Sequence, residues 1–291
     1  MATVDAALRT AYWQDLPARR AFQDFIRDIF GLDFTRWDKA GYWDDDYSPY
    51  SFFRDDRVVA SLCIYDMPAR VNGEACKVGQ VSGVGTLAEY RKQGLNRRLH
   101  EIALPKALAE HRFVFLYADD DAVPFYQQRG FRPMPAYSVV VPLPPVTPDG
   151  GIEKLDQTDV AVLDSLYRLA CVREPTSQVF STANPKLVMY HFMYRLSSHA
   201  WRIPALDAVV LMKRDGDKTI VYDVLARKLP RFDQLAPFLG AGEAREVEFR
   251  FPVDRLEAPA STLRELPGEN LHVMGGYDLG SQAVFPFTSA A

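Results

Sequence analysis

The run from Val84 to Asn96, Val-Gly-Thr-Leu-Ala-Glu-Tyr-Arg-Lys-Gln-Gly-Leu-Asn, brings together residue types that can hold an anion. A β-favouring stretch passes through Arg91-Lys92-Gln93-Gly94 straight into an amphipathic segment, so strand, loop and helix follow in order. At such a helix start three or four backbone N–H groups have no intrahelical partner and lie at the positive end of the helix dipole. That is a seat for an anion. Gly94 has no Cβ to keep a phosphate at a distance, and Arg91 and Lys92 add positive charge around it. The guest implied by this arrangement is a pyrophosphate.

A second run, Phe125-Tyr126-Gln127-Gln128-Arg129-Gly130-Phe131, follows after room for one helix and one strand. Together the two runs resemble the GCN5-related N-acetyltransferase (GNAT) superfamily, with its Arg/Gln-x-x-Gly-x-Gly/Ala pattern and a later Tyr-x-x-x-Gly-Phe. The resemblance covers roughly the first half of the chain. Asn96 departs from it, standing where the family usually has Gly or Ala. The Gly-Leu-Asn-Arg form is closest to the tandem-domain bacterial subgroup that includes the enhanced-intracellular-survival aminoglycoside acetyltransferases.

The resemblance implies an α/β (α+β) GNAT fold, a mixed and mostly antiparallel sheet flanked by helices, with acetyl-CoA as co-substrate and no metal. It maps the pantetheine arm to Val84, Gly85 and Thr86, pairing as an added strand, and Gly85 gives that strand a place to bulge and splay. It maps the pyrophosphate to Lys92, Gln93, Gly94, Leu95, Asn96 and Arg97, with Arg91 opening the motif. Tyr126 matches the family tyrosine that protonates the coenzyme A thiolate. A phenol with an ordinary pKa near 10 can act as that acid without tuning. Asp121 is grouped with the cofactor-facing residues and also reads as an N-cap for the short helix before Tyr126. The general base stays open among Asp119, Asp120, Asp121 and a water relay. The subgroup's terminal carboxylate, implicated there as base, is not carried onto Ala291, because the third domain that places it is lacking.

Several elements must position these groups. Phe22, Phe25, Ile26, Ile29 and Phe30 recur at helical spacing over Arg19 to Phe30, and Gly31 supplies a stop. Strands follow at 51–54, 57–67 and 75–87, with turns at Asp55-Asp56 and Asn72-Gly73. Leu95, Leu99, Ile102 and Ala103 give the helix after the loop an apolar stripe, which Pro105 should kink or shorten. Phe113 to Ala118 reads as a buried strand. Pro124 suits the first turn of the short helix that follows, and Gly130 its left-handed close. Ala136 to Val141 is a last strand.

Four prolines and two glycines between Pro142 and Gly151 mark a boundary, because such a segment can join neither a helix nor a central strand. It divides a catalytic domain, 1–145, from a second domain, 151–291. Helices near 158–171, 185–198 and 232–239 and strands near 208–213, 219–226 and 246–251 partly echo the first domain. This order favours a degenerate GNAT-like copy over an unrelated α+β domain. Arg227-Lys228-Leu229-Pro230 occupies the place of the anion loop without a glycine, and its proline lacks an N–H.

With 291 residues, 48% hydrophobic and 25% charged, the chain has the composition of a soluble globular protein of about two domains. Its net charge of −4 gives no global attraction to nucleic acid or anionic membrane. The start Met-Ala-Thr-Val-Asp lacks signal-peptide features and no run of about 18 apolar residues marks a span, so a cytoplasmic protein is expected. Cys63, Cys76 and Cys171 read as buried reduced thiols, and the five histidines form no metal spacing. Trp43-Asp44-Asp45-Asp46-Tyr47-Ser48-Pro49-Tyr50 is either an acidic turn over packed aromatics or a seat for a cationic amine. The expected activity is transfer of an acetyl group to a small amine by direct attack in a ternary complex. A non-catalytic acyl-CoA-binding regulatory module, and a transferase of another acyl group or to a thiol or protein lysine, stay open. Oligomeric state stays open too, tandem relatives commonly forming homo-oligomers.

Overall fold

The computed structural model describes residues 5–147, 149, 151–240 and 244–291. The chain divides into two compact units, one made of Met1–Met67, Lys77–Leu116 and Val273–Gly276, the other of Pro68–Cys76, Tyr117–His272 and Tyr277–Ala291.

The first unit is built on β1 (Ala7–Thr10), α1 (Leu16–Phe30), α2 (Thr35–Lys39), β2 (Tyr47–Arg54), β3 (Arg57–Val71), β4 (Glu74–Thr86), α3 (Leu95–Glu110) and β5 (Phe113–Tyr117). Its strands hydrogen-bond in the order β1-β2-β3-β4-β5, followed by a return strand at Leu271–Gly275. Helix α1 begins where the Asp15 carboxylate accepts from the Ala18 N–H and ends at Gly31, left-handed with φ +66°. Phe22, Phe25 and Ile26 on its inner face are buried. The β3–β4 turn has positive φ at both Asn72 and Gly73, as a two-residue hairpin loop requires.

Two features of β4 set up the site. It pairs with β5 in parallel only at Gly79↔Val114 and Gln80↔Phe115, so beyond Gln80 the two strands part. Its glycines also admit helix α1: a Cβ at Gly85 would lie 3.0 Å from Ile29 and 3.1 Å from Phe25. Close helix packing therefore accounts for Gly85, and the splay starts five residues earlier than that glycine.

Pro105 neither ends nor shortens α3, which runs on to Glu110. A proline removes one helical N–H, and the burial of Leu99, Ala103, Leu104 and Ala107 along one stripe holds the remaining turns.

The second unit contains α4 (Val123–Gln127), β6 (Arg132–Met134), β7 (Tyr137–Pro142), β8 (Glu153–Lys154), α5 (Val160–Val172), β9 (Phe180–Thr182), α6 (Pro185–Tyr190), β10 (Ala200–Ile203), β11 (Ala208–Asp215), β12 (Lys218–Ala226), α7 (Phe232–Leu239), β13 (Glu246–Phe249), β14 (Thr262–Glu265) and β15, the Leu271–Gly275 strand. A seven-stranded sheet runs β14-β7-β13-β12-β11-β10-β8. Strand β7, ahead of the proline-rich segment, thus pairs with strands from beyond it. In that segment Pro148 and Gly150 lie outside the described residues, as do residues 1–4 of the amino terminus.

Strand β12, helix α7 and strand β13 repeat the plan of β4, α3 and β5, a parallel pair joined through a helix. The core of this unit gathers Val210, Val221, Leu235, Leu239, Val247 and Phe249 between α7 and the sheet. Helix α6 passes into a π-helical turn at His191–Arg195.

Among the described residues no helix is long and apolar enough to cross a membrane. The three cysteines are in the thiol form; Cys63 is buried, but Cys76 is half-buried and Cys171 is exposed, contrary to the uniform burial expected.

Candidate active site

Strand β4 closes its pairing with the Leu87 N–H donating to the Val59 carbonyl at 3.0 Å, and a single 3₁₀ turn, Ala88–Tyr90, leads into the loop. Lys92 takes φ +61° and Gly94 φ +76°, the latter at the N-cap of α3. Both left-handed residues turn the backbone so that successive N–H groups converge, the geometry of an anion-binding nest. Among the described residues none accepts a hydrogen bond from the N–H groups of Lys92, Gln93, Gly94, Leu95 or Asn96. A Cβ built on Gly94 would meet nothing within 4 Å, so the approach is open.

The side chains leave this approach positive. Arg91 Nε donates to the Thr86 carbonyl at 3.2 Å, fixing the loop to the end of β4, and Gln93 Nε2 donates to the Glu89 carbonyl at 3.1 Å. Arg97 lies 3.5 Å from Glu101. Lys92 is exposed and has no carboxylate partner among the described residues. The first turn of α3 carries no acidic residue. The nest, the open glycine and Lys92 fit a diphosphate of the kind coenzyme A carries.

Asn96 does not obstruct this helix start. Its Nδ2 donates to the Gly85 carbonyl at 3.0 Å and to Thr86 Oγ1 at 2.7 Å, so the side chain folds back onto β4 and ties the helix to the splayed strand. Val84 and Thr86 are half-buried on that strand. Ser82 also stands on it, beyond the last β5 pair, with a buried hydroxyl that has no hydrogen-bond partner among the described residues. Nothing in the sequence singles Ser82 out, because its place follows from where β4 and β5 part.

In the second unit Tyr126 sits on α4, packed edge-on against Phe125 and Phe131 at 5.3 and 5.9 Å between ring centroids. Burial, and next the nearby Asp119 carboxylate, push its phenol up to about 12. The three carboxylates ahead of α4 take different places. Asp120 Oδ1 accepts from Asn270 Nδ2 at 2.7 Å, which pins the segment. Asp121 is exposed and is not the N-cap expected of it: α4 starts at Val123 with Ala122 as its N-cap and no side-chain cap, because Asp121 is inside a preceding 3₁₀ turn, Asp120–Ala122. Asp119 lines a cavity of about 270 Å³.

That cavity is also walled by Tyr117, Arg195, Arg250, Glu269, Asn270 and the aromatic rings of Phe285 and Phe287, with Ala290 and Ala291 alongside. Arg250 is held between two carboxylates, 3.4 Å from Glu248 and 3.2 Å from Glu269. Burial, and after it the charge of Glu269, raise the Tyr117 phenol well above its ordinary value. These residues come from segments more than a hundred positions apart and carry no motif, so nothing in the sequence announced them.

The aromatic residues of the Trp43–Tyr50 segment do not form a cation cage. Trp43, Tyr47 and Tyr50 are buried, and Trp43 donates its Nε1–H to the Tyr47 carbonyl at 3.3 Å while packing on Phe22. The cation over Trp43 is the protein's own Arg19, at 4.9 Å. Asp44, Asp45 and Asp46 form an acidic turn above these rings.

Residues 18–134 match the family model of an acetyltransferase (GNAT) domain. Among solved structures the chain is similar to a protein of Enterococcus faecalis V583 described as a probable N-acyltransferase, with TM-score 0.59 and 14% identity over 92% of this chain and 72% of that one. It is similar to Eis1 from Mycobacterium abscessus, with TM-score 0.56 and 16% identity over 92% and 72%. A GCN5-related N-acetyltransferase from Kribbella flavida gives TM-score 0.54 and 16% identity over 94% and 72%. At these identities the likeness is one of fold. Among curated proteins none matches the chain in sequence. The match to the acetyltransferase (GNAT) domain on 18–134 runs over the splayed strand and the open loop just described.

Proposed function

We propose that the protein transfers an acetyl group from acetyl-CoA to the nitrogen of a small amine, by direct attack in a ternary complex. The observation that carries this reading is the set of unfilled N–H groups from Lys92 to Asn96 at the end of a strand that has parted from its neighbour. When bound, acetyl-CoA supplies an already activated thioester. The protein's part is to hold it, remove a proton from the amine and stabilise the departing thiolate.

The nest and Lys92 hold the diphosphate, with Arg91 and Arg97 flanking it, and Val84, Gly85 and Thr86 offer backbone to the pantetheine amides. Tyr126, by its match to the family's Tyr-x-x-x-Gly-Phe, is the residue we assign to the thiolate. With its pKa near 12, complete transfer to a thiol of ordinary pKa near 8.5 would run uphill by about 3.5 units, about 5 kcal/mol. Tyr126 therefore acts chiefly by donating a strong hydrogen bond to the sulfur, and it stays protonated throughout the working pH range. The base that takes the amine proton stays among Asp119, Asp120, Asp121 and a water relay, Asp119 being the one of the three on the cavity wall. Asp121 does not line that cavity.

The test is thiol release from acetyl-CoA with a panel of amines, on the wild type and on Tyr126→Phe, with cofactor affinity measured alongside. Amine-dependent release that falls roughly 10²-fold in Tyr126→Phe at unchanged affinity supports the reading. Tight binding without turnover on any amine would replace it by a binding module.

A further inference from the structure

Strand β4 carries a left-handed residue of its own, between the place where it parts from β5 and the stretch assigned above to the pantetheine. Gly83 has φ +56° and stands beyond the last β5 pair at Gln80, directly before Val84. This is the conformation of a glycine bulge, which bends a strand and re-aims the groups that follow it. A Cβ there would lie 2.9 Å from the Tyr47 hydroxyl, 3.2 Å from Cys63 Sγ and 3.7 Å from Ile26. Gly83 is thus seated on a pair of polar side chains, and that pair is joined: Tyr47 donates its O–H to Cys63 Sγ. Behind it Cys63 Sγ and Ser61 Oγ are hydrogen-bonded at 3.9 Å, Ser61 and Ser51 at 2.8 Å, and Ser51 and Tyr12 at 2.7 Å. All five side chains belong to the first unit, and none is more than 5% exposed. Burial pushes the Cys63 thiol up to about 12, so it stays protonated and is no nucleophile. A satisfied polar chain in a core fixes one arrangement where apolar side chains would allow several.

Resting on the acetyl-transfer reading above, we infer that Tyr47 is a positioning residue for the transfer: held by Cys63, its hydroxyl fixes the Gly83 bulge, and the bulge aims the β4 backbone at the thioester end of the donor. The register supports this. With the diphosphate at the α3 N-terminus and the pantetheine amides along Thr86, Gly85 and Val84, each residue further back along β4 advances about 3.3 Å, so the thioester comes level with Gly83 and Ser82. A left-handed residue there turns its flanking peptide planes out of the regular alternation, and this decides which N–H and C=O groups face the gap that β5 leaves. Helix packing, which accounts for Gly85, does not account for Gly83, since its nearest neighbours are the Tyr47 oxygen and the Cys63 sulfur. Tyr47 acts through the strand and touches no reacting atom.

The experiment compares Tyr47→Phe, Cys63→Ala and Cys63→Ser with the wild type and with Asp15→Ala, which removes the N-terminal cap of α1 and so weakens the same unit elsewhere. The readouts are kcat for thiol release, calorimetric affinity for coenzyme A, urea unfolding, and the response of the Gly83 and Val84 amide resonances to acetyl-CoA against coenzyme A. Tyr47→Phe and Cys63→Ala should lose kcat roughly tenfold or more at unchanged coenzyme A affinity, because the nest is untouched. Cys63→Ser keeps an acceptor for the phenol and should retain most of kcat, and Asp15→Ala should lose stability and keep kcat. In the wild type the two amides should respond more to acetyl-CoA than to coenzyme A, and in Tyr47→Phe alike to both. A kcat in Tyr47→Phe that matches Asp15→Ala at equal stability, or a Cys63→Ser as impaired as Cys63→Ala, overturns the inference and leaves acetyl transfer standing. Absence of wild-type turnover with every amine defeats the transferase reading instead, and the amide responses then still decide whether the bulge meets the thioester.

Discussion

Replacing Gly94 with Asn or Asp separates the two things that this residue provides, a left-handed backbone and an uncharged approach to the nest. Both side chains tolerate positive φ better than other non-glycine residues, and the Cβ of either would meet nothing within 4 Å. The cost to folding should therefore be small and equal in the two variants, at most about 1–2 kcal/mol. Binding is another matter. A carboxylate roughly 6 Å from a diphosphate bearing about two charges is repelled by ~1.5 kcal/mol in a fully water-like environment and ~5.5 kcal/mol at an effective dielectric of 20. A middle value of about 3 kcal/mol is about 10²-fold in Kd. Acetyl-CoA affinity measured by calorimetry should thus drop modestly in Gly94→Asn and about a further hundredfold in Gly94→Asp. The gap between the two should narrow as salt rises from 0.05 to 0.5 M. Equal affinity in the two variants at low salt would mean that no phosphate sits at the α3 N-terminus, and the reading of the loop would be wrong.

Asn96→Ala restores the usual family residue, yet it removes both bonds to the end of β4; at about 0.5–1.5 kcal/mol each it should lower stability in urea by about 1–2 kcal/mol and weaken acetyl-CoA binding rather than improve it. With Tyr126 held near 12, kcat should rise with pH as the acceptor amine deprotonates and show no alkaline decline up to about pH 10.5. His191 is fully buried, donates Nε2–H to the Ala290 carbonyl at 2.8 Å, and is pushed down to about 3 by burial and then by Arg195. A depressed histidine favours the folded state fully above its unfolded value of about 6.5 and ceases to do so as pH falls toward 3. Between pH 7 and 5 urea unfolding should therefore show the wild type losing about 2 kcal/mol, a loss missing from His191→Phe.

What could be read in the sequence was the part governed by local chemistry. The Asn72-Gly73 turn, the apolar face of α1 with Gly31 behind it, and the strand-loop-helix order around Gly94 each depend on residues a few positions apart, and each stands in the structure where the sequence puts it. The short strands β1, β8, β9, β10 and β14 escaped notice because two to four residues carry too little pattern, and long-range pairing decides them. Asp121 misled for a related reason: an aspartate before a short helix reads as a cap, but Asn270, from far along the chain, fixes the segment through Asp120 and starts the helix later. The cavity was the least legible of all. Arg195, Glu269 and Phe287 come to line one cavity only when the second sheet and the segments around it fold.

The two β–α–β units differ in the backbone donors they leave for an anion. At the start of α3 the N–H groups are free, the cap is glycine and the first turn is without acid. The start of α7 has the same placement after a strand, but its donors are used. The Phe232 N–H goes to the Leu256 carbonyl at 2.6 Å and the Arg231 N–H to Gln234 Oε1 at 3.0 Å. The Leu229 N–H goes to Glu174 Oε2 at 2.9 Å, a bond that, with Arg255 beside it, holds the Glu174 carboxyl below its ordinary range. The chain has thus placed its own carboxylate where a ligand anion would be sought. Pro230 contributes no donor, and Arg231 is spent on Asp233. Removing Glu174 would free a single N–H, too few to form a nest. The two halves therefore differ in how many backbone donors the loop leaves unpaired, while the sheet and helices around it keep the same plan.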